Sequence, residues 1–281
     1  MSTCVEKLPC PDCGSSDSLQ SYLNGDTDLG IEWYTAFCHG KCWEQKGDPY
    51  AGKSAPVVHV RTQEEIQEAA NDVLGCKAFA PERKYRGIPP RYYKSWKMRV
   101  LLSEFDGVTP YAMAFPFSDG GKLKGWKARP FRKKDFFAIG TTAGCDPFGF
   151  ERARRIGGKI LLVTEGEFDA IALDYCLNLA MGTDEVKYPV ISLSQGGGSI
   201  LKDFTKIAAF LKSYDKIILV LDNDEVGLKA EQTGLELLPD KVLIARKPTN
   251  SKDANDAVEA GMAKEMGQIA LELIYDKRIP D

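Results

Sequence analysis

Four short apolar runs dominate the second half of the chain, with helix-patterned stretches between them. They are Lys159-Ile-Leu-Leu-Val-Thr164, Val190-Ile-Ser-Leu193, Lys216-Ile-Ile-Leu-Val-Leu221 and Val242-Leu-Ile-Ala245. Each is short and almost continuously apolar, the pattern of a strand buried on both faces. Helical spacing fills the intervals at 168–179, 199–211 and about 226–237. Strands alternating with helices predict a parallel sheet in an α/β domain. Upstream, Ile66, Ala69, Ala70, Val73 and Leu74 fall at helical spacing behind Thr62, a candidate N-cap. A Gly-, Pro- and aromatic-rich stretch follows, with short alternating runs such as Tyr111-Ala-Met-Ala-Phe115. It predicts a small α+β unit. The first fifty residues are cysteine-rich and carry turn residues, with Leu19, Tyr22, Leu29, Ile31, Trp33 and Phe37 able to supply short strands, and residues 51–62 have the mixed composition of a linker.

Those fifty residues are organised by cysteine. Cys10-Pro-Asp-Cys13 and Cys38-His-Gly-Lys-Cys42 form two knuckles with 24 residues between them. Thiolates two or three residues apart on a tight turn can face one tetrahedral cation, and two such turns complete four ligands. The expectation is a zinc ribbon with structural Zn²⁺ on Cys10, Cys13, Cys38 and Cys42, with His39 or Cys4 as substitutes for one ligand. So small a module depends on its metal to fold. Trp33, Tyr34, Thr35, Lys41 and Trp43 are candidates for presentation to a partner. Cys76, Cys145 and Cys176 are scattered and read as core residues.

Acidic residues follow the apolar runs. Glu165, Glu167 and Asp169 come after the first, Asp222 and Asp224 after the third, and Asp253 and Asp256 after the fourth. Functional groups of open α/β sheets gather at the carboxyl ends of strands. Three acidic clusters at three such ends can converge, and converging carboxylates stay ionised together only beside cations. All-oxygen ligands suit Mg²⁺ or Mn²⁺. Helix capping is the competing role, open to Asp169 and Asp224.

The 281 residues carry 37 Lys and Arg against 40 Asp and Glu, a formal net charge of -3. This near-balance conceals a basic segment: residues 77–134 hold 15 Lys and Arg but 4 Asp and Glu. Tyr92, Tyr93, Trp96, Trp126 and Phe131 are interleaved with the cations. Cations neutralise phosphates and aromatic faces stack on unpaired bases, so the segment points to a polyanionic partner. No apolar run reaches 18 residues, so no membrane span is expected. The first residues lack the apolar core of a secretory signal. The expected location is a reducing cytoplasm.

Val163-Thr-Glu-Gly-Glu-Phe-Asp-Ala170, Leu219-Val-Leu-Asp-Asn-Asp-Glu-Val-Gly227 and Lys252-Asp-Ala-Asn-Asp256 resemble the motifs of the toprim fold. With the cysteine knuckles and basic segment ahead of them, the whole chain resembles the primase half of bacteriophage primase–helicases. The resemblance implies an α/β chain in which an N-terminal zinc ribbon joins a toprim-fold catalytic domain with a small α+β subdomain. The implied boundaries are 1–50 for the zinc-binding domain, 51–62 for the linker, 63–156 for the basic subdomain and 157–281 for the toprim subdomain with a helical tail. It implies a DNA primase, a nucleotidyltransferase making short RNA primers on single-stranded DNA from ribonucleoside triphosphates during phage replication. Glu165, Asp222, Asp224 and Asp253 are the implied catalytic residues, and Asp169 a further acidic position at the metals. Lys127, Arg129, Lys133 and Lys134 are the implied nucleotide contacts. The implied partners are a separate replicative helicase and a DNA polymerase. Two features depart from the family: the knuckle spacing is longer, and Trp33-Tyr-Thr-Ala-Phe37 stands where the family has a template-reading His. No GxxxxGK[ST] loop is present, so a helicase motor is expected on another chain or another part of a parent protein. The competing readings are a toprim nuclease, with water in place of the 3′-hydroxyl, and a non-catalytic module that binds single strands.

Overall fold

The computed structural model describes residues 3–8, 19–26, 31–38, 44–46, 62–103, 106–132 and 135–276. The chain divides into two compact units, residues 1–62 and 63–281. In the first, β1 (Thr3–Leu8), β2 (Leu19–Asp26), β3 (Ile31–Cys38) and β4 (Glu44–Lys46) form an antiparallel sheet in chain order. Cys38 ends β3 opposite Leu19, and both are buried. Cys10, Cys13, His39 and Cys42 lie outside the described residues, as do residues 51–61 of the expected linker.

The second unit begins with α1 (Gln63–Gly75) and α2 (Pro90–Ser95), followed by four antiparallel strands. These are β5 (Arg99–Leu102), β6 (Pro110–Asp119), β7 (Lys122–Pro130) and β8 (Phe137–Gly140), again in chain order. Both faces of this sheet are covered, and the alternation along β6 sorts its side chains between them. Ala112 and Ala114 pack with Trp126, Ala128 and the α1 residues Ala70 and Val73. Met113, Phe115 and Phe117 enter the main core on the other side. Gly120 and Gly121, both at positive φ, close the two-residue turn between β6 and β7, which a side chain would strain.

After α3 (Phe150–Ile156) comes the alternating pattern expected from the sequence. It runs β9 (Ile160–Thr164), α4 (Glu167–Met181), β10 (Val190–Ser192), α5 (Ile200–Lys206), α6 (Ala208–Lys212), β11 (Lys216–Val220), α7 (Glu225–Leu237) and β12 (Val242–Ile244). Helices α8 (Ala254–Glu259) and α9 (Ala263–Ile274) complete it. All strand pairs are parallel, in the order β10-β9-β11-β12. The continuous apolar runs reflect two cores, one on each face of the sheet. Leu162, Ile218 and Val220 face one cluster with α4, α8 and α9. Leu161, Val163, Ile217 and Leu219 face the other with Ile200, Phe204, Leu211 and Ala230. The expected single helix over 199–211 is broken. Ile207, at φ −101° and ψ 20°, leaves helical geometry while its side chain stays in the second core. No described helix is long and apolar enough to cross a membrane.

Candidate active site: an acidic crevice beside cationic strands

The strand order reverses direction around β9: the chain adds β10 on one side and then β11 on the other. A crevice therefore opens at the carboxyl ends of β9 and β11, where each strand hands over to a loop. Glu165 is the residue after β9, and Asp222 stands two residues past β11. The Glu165 Oε2 accepts a hydrogen bond of 3.3 Å from the Asp222 backbone N–H. The Gly197 backbone N–H lies near this carboxylate and favours its charged form. Burial pushes the Glu165 carboxyl above its usual range, and the Asp222 charge adds to that push.

Asp169, Asp222 and Asp253 each offer a carboxylate oxygen within 4.8 Å of the others, and all three are half-buried. Asp169 is in the first turn of α4, and its Oδ1 accepts from the Asn255 N–H at 3.1 Å. Asp253 caps α8 by accepting from the Asp256 N–H at 2.7 Å. Burial raises the Asp169 carboxyl well above the ordinary carboxylate range, and Asp253 raises it further. Burial also raises Asp222, against the opposing pull of Lys252. Three acids held this close cost free energy that a bound cation would return. Hard oxygen donors at this spacing suit Mg²⁺ or Mn²⁺.

Asp224 stands apart from that trio. It caps α7, its Oδ1 accepting from the N–H groups of Val226 at 3.1 Å and Gly227 at 3.0 Å. The Gly227 hydrogen bond is the main reason its carboxyl sits below the usual range. The capping role open to Asp224 is thus occupied, and so is one for Asp253 that the sequence did not suggest. Asp169 does not cap its own helix, because Gly166 holds the N-cap position of α4. Position 227 must be glycine: a Cβ there would overlap the Asp222 carbonyl oxygen.

Several pairings were not apparent from the sequence. Lys252 reaches back to Asp222 Oδ2 at 3.0 Å and Asp224 Oδ2 at 3.4 Å, a side-chain cation bridging the two acids. Its place inside Lys-Asp-Ala-Asn-Asp was visible, but the bridge depends on the loop's return to β11. Glu167 is buried and pairs with Lys127 of β7 at 2.7 Å. The loop after β10 is held by buried Asp203, which accepts from the Ser194 N–H at 2.7 Å and from the hydroxyls of Ser194 and Ser199, both at 2.8 Å. That anchoring sets Gly197 against Glu165 before any ligand arrives.

Of the expected cations, Lys127 Nζ lies 4.5 Å from the centre of the Phe136 ring. The Arg129 guanidinium lies 5.3 Å from Phe136 and 5.4 Å from Phe168. Lys133 and Lys134 fall outside the described residues. Lys127, Phe136, Thr142, Ser194 and Gln195 line a cleft of about 340 Å³. The cleft adjoins the acids through two of its own members: Lys127 binds Glu167, and Gln195 precedes the glycines that meet Glu165.

Residues 162–258 match the Toprim-like family. A stretch of 101 residues is 37% identical to the DNA helicase/primase of Enterobacteria phage T3, covering 36% of this chain and 16% of that protein. The fold matches the crystal structure of the primase fragment of the bacteriophage T7 primase–helicase protein. That match has a TM-score of 0.57 and 26% identity, over 97% of this chain and 100% of the other. The chain resembles a phage primase of the primase–helicase type. A second T7 structure agrees, in which lagging-strand DNA polymerase interacts with primase domains bound to an RNA/DNA hybrid and dTTP. A chain of that assembly matches with a TM-score of 0.54 and 28% identity, over 66% of this chain and 88% of the other. In this primase-like chain the Toprim-like match takes in Glu165, Asp169, Asp222, Asp224 and Asp253. It stops short of the cationic strands, which enter through the longer structural likeness.

Proposed function

We propose that the chain is a DNA primase, which joins ribonucleoside triphosphates into short RNA primers on a single-stranded DNA template during phage replication. The observation that carries this reading is the convergence of Asp169, Asp222 and Asp253 within 4.8 Å beside Glu165. A site that only bound nucleic acid would gain nothing from clustered carboxylates near an anionic ligand.

Glu165, Asp169, Asp222, Asp224 and Asp253 would hold the divalent ions. Bound there, such ions would lower the pKa of the attacking 3′-hydroxyl and neutralise the triphosphate and leaving pyrophosphate. The residues themselves do the rest. The Asp222 N–H fixes the Glu165 carboxylate before substrate binds, and the nearby Gly197 N–H favours its charged form. Lys127 and Arg129, with Lys133 and Lys134, supply positive charge for the triphosphate. Lys127 is anchored on Glu167, so its ammonium is held near the cleft rather than swinging through solvent. Lys252 supplies charge to Asp222 and Asp224. The zinc ribbon, with Zn²⁺ on Cys10, Cys13, Cys38 and Cys42, would hold the start site on the template. By its likeness to the phage proteins, the chain would work with a replicative helicase and a DNA polymerase, in the host cytoplasm.

The test combines a single-stranded template, labelled ribonucleotides and Mg²⁺, with and without chelator. Short labelled oligoribonucleotides that vanish with chelator are expected. Cleaved template, or retarded template without product, would overturn the reading in favour of a nuclease or a binding module.

A further inference from the structure

Phe136 is an exposed aromatic ring with no apolar reason to be where it is. It keeps 41% of its surface accessible, and it belongs to none of the three apolar clusters formed by the described residues. Its neighbour Phe137 packs beside α1 and stacks on Tyr111, with ring centres 6.3 Å apart and planes at 8°, so the structural role falls to residue 137. The partners of Phe136 are cations instead: Lys127 and Arg129 lie 4.5 and 5.3 Å from its ring centre. Both are strand residues of β7, and Lys127 is paired with Glu167 at 2.7 Å. The ring also lines the cleft that contains Lys127, Ser194 and Gln195.

We propose that Phe136 is a stacking platform for a nucleobase whose phosphates are taken by Lys127 and Arg129. An exposed ring beside an ammonium and a guanidinium group offers both halves of a nucleotide at once: a π-face for the base and positive charge for the phosphate. Stacking on a phenyl ring is tolerant of base identity, as a site that must accept different nucleotides requires. The base belongs either to a free ribonucleoside triphosphate or to a single strand, and binding measurements separate the two sources. The inference deepens the primase reading, and its test needs no catalysis. A failure to make primers would leave it standing, and a failure of stacking would leave primer synthesis to be judged by itself.

The experiment measures binding of ATP, of oligo(dT) and of inorganic tripolyphosphate to wild type, Phe136→Ala, Phe136→Leu and Phe136→Trp. Thermal melting checks that each variant folds, which is expected for an exposed ring outside the core. Phe136→Ala should weaken ATP, oligo(dT) or both by about 5- to 150-fold, corresponding to ~1–3 kcal/mol per stacked base. Whichever weakens identifies the source. Tripolyphosphate binding should stay within about twofold of wild type, and Trp but not Leu should restore affinity. The proposal is overturned if Phe136→Ala binds ATP and oligo(dT) as wild type does, or if wild type binds neither. It is equally overturned if tripolyphosphate binding falls in parallel, or if Leu restores affinity as well as Trp.

Discussion

The two sheets of the second unit are both covered on two faces, yet they contribute opposite charges to the crevice. The parallel sheet delivers acids at strand ends, each fixed by a backbone hydrogen bond: Glu165 by Asp222, Asp169 by Asn255, Asp224 by Gly227 and Asp253 by Asp256. The antiparallel sheet delivers Lys127 and Arg129 from the middle of β7, beside the side chains of Glu167 and Phe168. The first turn of a helix has unpaired N–H groups that can hold a carboxylate, and Gly227, Asn255 and Asp256 supply three of these four, whereas a mid-strand residue has spent its backbone on the ladder. The acids are therefore positioned by topology and the cations by packing. The Lys127–Glu167 ion pair is where the two schemes meet.

Variants can separate topology from packing. The largest loss of stability should come from the junction of the two regions. Asp174 of α4 accepts from the Trp96 indole N–H at 2.9 Å and from Arg152 of α3 at 2.6 Å, and it is fully enclosed. Asp174→Ala leaves the Arg152 guanidinium uncompensated and should cost ~3–5 kcal/mol, read by denaturant unfolding. A cost below about 1 kcal/mol would mean that the two regions do not lean on this contact. Next comes a variant that should spare the fold and remove the chemistry. Asp222→Ala should lower primer synthesis by at least ~10²-fold while melting close to the wild-type temperature, since it also relieves a crowded set of acids. Primers at the wild-type rate from that folded variant would break the acidic half of the comparison.

Gly227→Ala tests topology directly, because the added methyl meets the carbonyl of Asp222. It should cost ~1–3 kcal/mol and impair activity together, a pairing that melting and a primer assay can both read. A double-mutant cycle on Lys127 and Glu167 should return a coupling of ~0.5–3 kcal/mol from chemical denaturation, since the Glu167 end is buried. The smallest effect should belong to Lys229–Glu225, exposed on α7 at 2.7 Å. Lys229→Ala there should cost ~0.3–0.5 kcal/mol by the same method and leave activity alone. If the exposed pair matched the buried one, packing would not be what steadies the cations.

Much of the parallel sheet was legible in the sequence. Residues such as Ile217 and Ile218 face different cores yet are equally buried, and a strand covered on both sides writes that burial as a short unbroken apolar run. The acids after those runs were legible for a related reason: strand ends are where a chain leaves the core. Less could be read of what each acid does. Asp224 and Asp253 cap helices while standing in the site, and sequence spacing cannot separate the two roles when one carboxylate fills both. The break at Ile207 was invisible because helical spacing continues through it. Phe136 and Phe137 are adjacent and chemically identical, yet one is exposed beside cations and the other packs beside α1. Adjacent positions of an extended chain point to opposite sides, and which side is covered is decided by α1, more than sixty residues away.

Local pattern by itself thus determined the α/β alternation, the buried strands and the acids at their ends, because burial on two faces and departure from the core leave marks in consecutive residues. The tertiary structure alone decided which carboxylates come within 4.8 Å, that Lys252 returns to bridge Asp222 and Asp224, and that Lys127 meets Glu167 forty residues on. Those are through-space energies between distant segments, and they exist only once the sheet order brings the segments together.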